Sequence, residues 1–398
     1  MIKNLQKLTL LSLIKIFNLS FPLIIIPIII SKVGLAGYGE IIFYQSIAAY
    51  LSIIIRFGSD IKSIKVISQF DRLKLISSYM SSLITIQLIL LATIIFLLIG
   101  SLFFIKFSSF LVLLFFILNF SKDITFTEYY HIATNNEWKV LLLNFLYRGM
   151  SLILIYLFLD HESPIYTVPL FYAISIVIPS VLNISWFMPK VKLYLNEIKS
   201  IFILHKDIVI SKIIIGIKDQ FGQIFIGVFI GMEQTAFYDI GIKIINTSSI
   251  PISVFNNYFL SKKNQGEKFK ILKIISLSLL TSVAVVIFFY FSAEFISHYL
   301  DLPLLDFKRI LFIVSFGIIA MSIGSAAGIN GLIAINKDII YKKGMIYTTI
   351  LFISLLTLMN FVNVINPISL LSIPVIAYIF EMIYRLYYLN KYLFNFCK

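Results

Sequence analysis

The feature that most constrains this chain is a repeating pattern: apolar blocks of about twenty residues, separated by short basic or turn-rich stretches. A helix rises about 1.5 Å per residue, so about twenty residues match the ~30 Å hydrocarbon core of a bilayer. Of the 398 residues, 60% are hydrophobic and only 13% charged, too little polar surface to cover soluble domains. The blocks predict an all-α integral membrane protein of about twelve transmembrane helices. They fall near 8–30, 35–57, 81–104, 107–131, 139–159 and 164–188, then near 207–230, 235–259, 271–292, 309–334, 341–363 and 367–389. The block at 107–131 is the least clean, because Lys122, Asp123 and Glu128 interrupt its second half.

The connections between blocks set the orientation. Lys3 and Lys7, the group Arg56, Lys62, Lys65, Arg72 and Lys74, and then Lys139 fall on one side. The same side takes Lys190, Lys192, Lys199 and Lys206, then 262–273 with its five lysines, and later Lys337, Lys342, Lys343, Arg385, Lys391 and Lys398. The other side carries only Lys32, Lys106, Lys308 and Arg309. Basic loops stay in the cytoplasm, so both termini are expected there. The basic start followed by an apolar stretch resembles a signal peptide, but the stretch runs on to Ile30 with no small-residue cleavage site, and a retained first helix is expected. The formal charge of +14 is thereby explained without nucleic acid, since the lysines are spread between apolar blocks and form no soluble basic face. The outer connections are short, and the longest, about 293–308, is acidic.

The basic stretch 190–206 divides the blocks six and six, giving an N-terminal lobe at 1–189, a cytoplasmic linker at 190–206 and a C-terminal lobe at 207–398. A shift of 200 residues superposes Ala36 and Tyr38 on Ala236 and Tyr238, Phe21 on Phe221 and Lys62 on Lys262. A parallel repeat of this kind is a transporter architecture, with the path between the halves.

Polar residues inside the blocks are costly, about 2.5–3.5 kcal/mol for a charge near the bilayer centre. They fall on stripes. Ser12, Lys15 and Asn18 share a face of the first block; Tyr38, Gln45, Ser52 and Arg56 share one in the second, with Glu40 off it. Asn144, Arg148 and Ser151 follow helical spacing in the fifth, and Lys212, Gly216, Asp219 and Gln223 in the seventh, with Lys218 pointing elsewhere. Asp239, Lys243, Asn246, Ser253 and Asn257 line one side of the eighth. Stripes of Ser and Asn often do no more than join helices. However, Lys15, Arg148, Lys212, Lys218 and Lys243 outnumber Glu40, Asp219 and Asp239, which points to a hydrated cationic cavity for an anionic ligand. Arg56 fits that cavity or an ordinary place at the cytoplasmic end of its helix. Asn18, Asn144, Gln223, Asn246 and Asn257 are expected as polar lining, and the three acids as sites of H+ or Na+ coupling or of charge pairing.

In the tenth block Gly324 and Gly328 form a small-xxx-small pattern that reads as close helix packing, or as a bend. The chain has no Walker A loop, HExxH or Gly-rich dinucleotide turn, so no metal or cofactor is expected. Its single cysteine, Cys397, excludes an internal disulfide. His131, His161, His205 and His298 show no partner spacing.

The run Val33 to Glu40 (VGLAGYGE) follows a Pro-containing first helix and leads to Arg56–Asp60 (RFGSD); it resembles the opening of Wzx-type polysaccharide repeat-unit flippases. The segment from Ile230 through Tyr238 to Pro251 is similar to that family's matching position in the second half. The resemblance implies the multidrug/oligosaccharidyl-lipid/polysaccharide exporter fold, two six-helix lobes in a V around a central cavity. It implies flipping of undecaprenyl-pyrophosphate-linked oligosaccharide, such as an O-antigen repeat unit, across the bacterial inner membrane in lipopolysaccharide biosynthesis. The polysaccharide polymerase and its chain-length machinery are the partners it implies. Related lipid II flippases use basic residues on the first, second and eighth helices, and Lys15, Arg56 and Lys243 occupy those helices here. Two rivals are a membrane-embedded polymerase or polyprenyl-dependent glycosyltransferase, disfavoured by the short outer loops, and a drug/cation antiporter of the same superfamily, disfavoured by the basic stripes.

Overall fold

A computed structural model describes residues 2–70, 72–188, 191, 198–264, 271–335, 337–361 and 367–394. Among them every regular element is helical. The chain divides into two compact units, Met1–Ile224 and Phe225–Lys398. The 190–206 stretch lies partly outside the described residues, and the division between the units falls within a helix beyond it.

The first unit begins with α1 (Ile2–Arg56). As one rod its 55 residues would reach about 80 Å, far more than a bilayer core. Gly34 breaks it: φ is 73° and ψ 171°, a conformation that a side chain disfavours, so the chain folds into two helical arms at the turn expected between the first two blocks. Pro22 and Pro27 sit within the first arm without ending it. After α2 (Ser59–Ile67) and α3 (Leu73–Gly100), the fourth block is split into α4 (Phe107–Phe120), α5 (Lys122–Thr125) and α6 (Glu128–Ala133). The unit continues with α7 (Glu137–Phe158), α8 (Thr167–Ser175), α9 (Val177–Leu182) and most of α10 (Ile198–Phe229). A wide π-turn, Asn183–Phe187, follows α9. Both arms of α1 belong to a bundle in which α1 packs on α4 and α7, α4 on α8, and α2 on α6. Phe126, Leu143, Tyr147 and Ile176 form a core there, covered by Tyr172 and Phe187.

Gly231 (φ 146°) turns the chain from α10 into α11 (Met232–Asn264), a second tight bend at a positive-φ glycine. Tyr38 and Tyr238, matched by the 200-residue shift, are both buried just beyond these bends. The second unit adds α12 (Ile271–Phe291), α13 (Ala293–Tyr299), α14 (Leu304–Ser325), α15 (Asp338–Phe361), α16 (Pro367–Leu370) and α17 (Ser372–Phe394). A π-turn, Ala326–Leu332, extends α14. The packing of α14 on α17 has a regular basis. Cβ atoms added at Gly317, Gly324 and Gly331 would lie 3.0 Å from Val375, 3.3 Å from Met382 and 2.8 Å from Leu389, respectively. Three glycines at seven-residue steps thus admit three α17 residues at seven-residue steps. Gly324 therefore serves close packing, and the helix changes pitch two residues later.

Eight described helices are long and apolar enough to cross a membrane. They lie within α1–α2, α3, α4–α6, α7, α8–α9, α12, α14 with its π-turn, and α15. α10, α11 and α17 coincide with predicted blocks and carry charged residues along their length. The protein is a multi-pass membrane protein.

Candidate functional site

The break in the fourth block organises the first unit's polar interior. Between α5 and α6 the chain passes through Thr127 at φ 45°, so backbone groups lose their helical partners. In hydrocarbon each must be satisfied by protein. Asn183, at the start of the π-turn after α9, does this: its Nδ2 donates to Thr125 O at 2.6 Å and to Thr127 Oγ1 at 3.0 Å. Its Oδ1 accepts from His131 Nε2 at 2.7 Å, which places the His131 proton on that nitrogen. Ser180 Oγ donates to Thr125 Oγ1 at 2.7 Å. The break is a built feature, and it sets Lys122, Asp123 and Glu128 in the interior.

Around it lies a charge cluster contributed by α1, the broken block and α7. Arg56 Nε donates to Asp123 Oδ2 at 2.6 Å, and Asp60 and Glu128 also act on the Arg56 charge. Lys212 on α10 pairs with Asp60. Glu128 accepts a 2.7 Å hydrogen bond from Asn144 Nδ2, with no cation in ion-pair range among the described residues. Arg148 on α7 donates from Nε to Asn18 Oδ1 at 2.9 Å, and its guanidinium lies 5.0 Å from the centre of the Phe21 ring. Lys122 Nζ stands 4.6 Å over the Tyr147 ring, whose hydroxyl donates to Asn119 Oδ1 at 2.8 Å. Among the described residues, neither Arg148 nor Lys122 has a carboxylate within ion-pair distance. A cation so placed keeps its charge by facing water, ring faces or an anion.

A second polar assembly in this unit closes the start of α10 onto the α1–α2 turn. His205 is fully buried; its Nδ1 donates to Phe57 O at 2.8 Å, so Nε2 accepts from Tyr79 at 2.8 Å, and Tyr79 in turn accepts from Ser63 at 2.9 Å. Burial pushes the imidazole below its ordinary range, with Lys62 adding to the effect.

In the second unit, Lys243 pairs with Asp239 at 2.6 Å, one turn apart on α11. A second pair is buried deeper. Arg385 and Glu381 on α17 are 5% and 7% exposed and bonded to each other. Arg385 Nη1 also donates to Gly324 O at 3.1 Å, just ahead of the π-turn, and the guanidinium stacks 4.3 Å from the Tyr341 ring centre. Asn256 and Asn330 join α11 to the π-turn at 3.1 Å, with Asn256 also donating to Ser325 at 3.0 Å. Arg385, counted among the cytoplasmic basic residues from its place near a block end, is thus held by protein groups and not by solvent.

The predicted residues are distributed over these assemblies. Arg56, Arg148, Asn18 and Asn144 converge in the first unit's cluster, and Lys212 joins its edge through Asp60. On α10, Lys218 is half-buried, Asp219 exposed and Gln223 buried; on α1, Glu40 is half-buried. Lys243 and Asp239 pair with each other, and Asn246 is exposed. The side chains of Lys15 and Asn257 lie outside the described residues. Sequence reasoning overlooked Lys122, Asp123, Glu128 and the Glu381–Arg385 pair. The interruption of an otherwise apolar block was the available signal for the first three, and i, i+4 spacing of opposite charges for the pair. It also overlooked His131 and His205, whose partners are 52 and 126 residues away.

No protein-family model matches the chain, and no curated protein does. Solved structures match over nearly its whole length. A multidrug resistance MATE family transporter of the MOP superfamily, in an inward-facing conformation, aligns with a TM-score of 0.65 at 13% identity, over 94% of this chain and 92% of that one. The lipid II flippase MurJ, inward closed, aligns with a TM-score of 0.66 at 14% identity, over 89% and 85%. A MOP superfamily transporter from Pyrococcus furiosus, described as having a binding pocket of reverse polarity, aligns at 0.60 and 13% over 98% and 96%. The chain has the fold of the MOP-superfamily transporters.

Proposed function

We propose that this protein is a flippase of the bacterial inner membrane, moving undecaprenyl-pyrophosphate-linked oligosaccharide by alternating access, with both termini in the cytoplasm. The observation that carries the reading is Arg148: a part-buried guanidinium held by Asn18 and the Phe21 ring, with no carboxylate in ion-pair range among the described residues. Lys122, stacked on Tyr147, likewise has no carboxylate in ion-pair range among the described residues. Both suit a phosphate oxygen, Arg148 through two parallel N–H groups and Lys122 as a point charge. Aromatic rings and the amides of Asn18, Asn119 and Asn144 suit sugar faces and hydroxyls.

The pairs Arg56–Asp123, Lys212–Asp60 and Lys243–Asp239 keep three of the other predicted cations neutralised in this conformation. They are proposed as anion sites that open when substrate or an ion competes for the carboxylate. Glu128, half-buried and accepting from the Asn144 amide, is proposed as the acceptor of the coupling ion, H+ or Na+, with Asp239, Asp219 and Glu40 as further acids of that role. Such acids are also what a drug/cation antiporter would use, and MATE relatives of fold make that the second reading.

The test is loss of the gene followed by return of variants. Loss should stop surface glycan while lipid-linked repeat units build up on the cytoplasmic face. Arg148→Ala should reproduce that block with normal membrane levels, and Arg148→Lys should restore part of the flow. Normal polymer in Arg148→Ala and Lys122→Ala alike, with drug sensitivity in the deletion strain, would sink the flippase reading in favour of antiport.

A further inference from the structure

One surface of the second unit carries a run of aromatic residues that none of the charge clusters uses. On α17, Phe380, Tyr384, Tyr388 and Tyr392 recur every fourth residue, beside the buried stripe of Glu381, Arg385 and Leu389. Ring centroids are 6.4 Å apart from Phe380 to Tyr384 and 4.7 Å from Tyr384 to Tyr388. Across the seam, Tyr347 of α15 meets Tyr384 edge-on at 5.8 Å. Gly344 makes room for this file, since a Cβ there would lie 2.9 Å from the Tyr384 ring. The outer side is open: Tyr347 is 46% and Tyr387 62% exposed.

An interfacial belt of tyrosines lies at one depth around a protein. This file instead climbs along the helix axis, about 18 Å over twelve residues. Its Tyr392 end is cationic. Lys337 Nζ stands 4.8 Å over the Tyr392 ring, and Lys391, Lys342 and Lys343 are exposed at the same helix ends. A cluster of lysines with a file of rings leading away from it complements an amphiphile that has an anionic head and one long chain.

We propose that the α15–α17 seam binds a polyprenyl phosphate lipid, with its phosphate on Lys337 and Lys391 and its chain along the faces of Tyr388, Tyr384 and Phe380. A single branched, unsaturated chain can follow one file of rings, whereas a phospholipid must place two chains. The inference rests on the reading of the cargo as polyprenyl-linked, and it gives such a lipid a separate docking place on the second unit, apart from the phosphate contacts proposed at Arg148 and Lys122.

The test uses the full-length protein in nanodiscs of phosphatidylethanolamine and phosphatidylglycerol containing a trace of undecaprenyl phosphate. A benzophenone amino acid replaces Tyr387, or Trp186 of the first unit, which is 71% exposed. The Tyr387 probe should capture undecaprenyl phosphate well above its share of the lipid, and the Trp186 probe only in proportion to that share. The combined Lys337→Ala and Lys391→Ala variant should lower capture at Tyr387 about ten- to thirty-fold. Capture in proportion to bulk composition at both positions, or undiminished capture in the monodisperse lysine variant, would overturn the proposal and leave an aromatic belt only. Capture needs no transport, so the two readings fail separately: selective capture without flipping removes the flippase, and flipping without selective capture removes this site.

Discussion

Arg385→Met is the sharpest test of the energetics inside the second unit. The substitution keeps much of the side-chain volume and removes the charge. Three contacts go at once: the pair with Glu381, the 3.1 Å bond to Gly324 O and the stack on Tyr341. With the arginine 5% and the glutamate 7% exposed, the dominant cost is the loss of the cation from a buried ion pair, about 3–5 kcal/mol when one member of such a pair is removed. A unit of about 170 residues melts with an entropy near 0.4 kcal/mol/K, so 3 kcal/mol corresponds to a midpoint about 8 °C lower. The assay is the temperature at which detergent-purified protein loses its monodisperse peak. Arg309 supplies the control, because its 3.3 Å contact with Asp306 is between side chains 58% and 35% exposed, and such surface pairs are worth about 0–1 kcal/mol. Adding Glu381→Gln to Arg385→Met should return more than half of the loss, since the amide carries no charge to strand. A single variant within a degree of wild type, or a double variant no better than the single, would refute the reasoning.

Three further outcomes follow from packing and protonation. Gly324→Leu should destabilise by about 1–3 kcal/mol or more, because even its Cβ meets the Met382 backbone at 3.3 Å, and the same thermal assay reads it. Asn183→Ala should cost about 1–3 kcal/mol by leaving Thr125 O and His131 Nε2 without their partner, seen as faster proteolysis near residues 121–127, with Asn183→Asp failing to rescue the two donations from Nδ2. His205 is held neutral in the folded state while the unfolded chain takes up a proton near pH 6.5, so its contribution is intact above that value. It is lost as pH falls below 6.5 toward the lower folded value, and His205→Asn should flatten that part of the stability–pH curve; an unchanged slope would show that His205 is not the titrating group.

The apolar blocks made the helical segments legible, because hydrocarbon demands the same length of each. The turn at Gly34 was legible too, as a glycine-rich run between two blocks with no room for a loop. What could not be read was which charges meet. Arg56 and Asp123 are 67 residues apart, and Lys212 and Asp60 are 152 apart, so the apparent excess of cations on the stripes dissolves partly into ion pairs with acids from other segments. The fourth block shows the limit from the other side. Its charges spoiled the hydropathy and were visible as a flaw, but the flaw became a device only with Asn183 in place to hold the broken backbone. The burial of Arg385 was not legible either, because it depends on neighbours that hydropathy does not include.

The glycine seam between α14 and α17 has a mechanical consequence. Two racks cut to the same pitch engage at one offset, and here the teeth are Val375, Met382 and Leu389 against the notches at Gly317, Gly324 and Gly331. A slip by one helical turn would drive all three teeth out of their notches together, so no partial slide lowers the barrier. The two helices are therefore geared as a single part, with the tyrosine file and the buried Arg385 fixed to it.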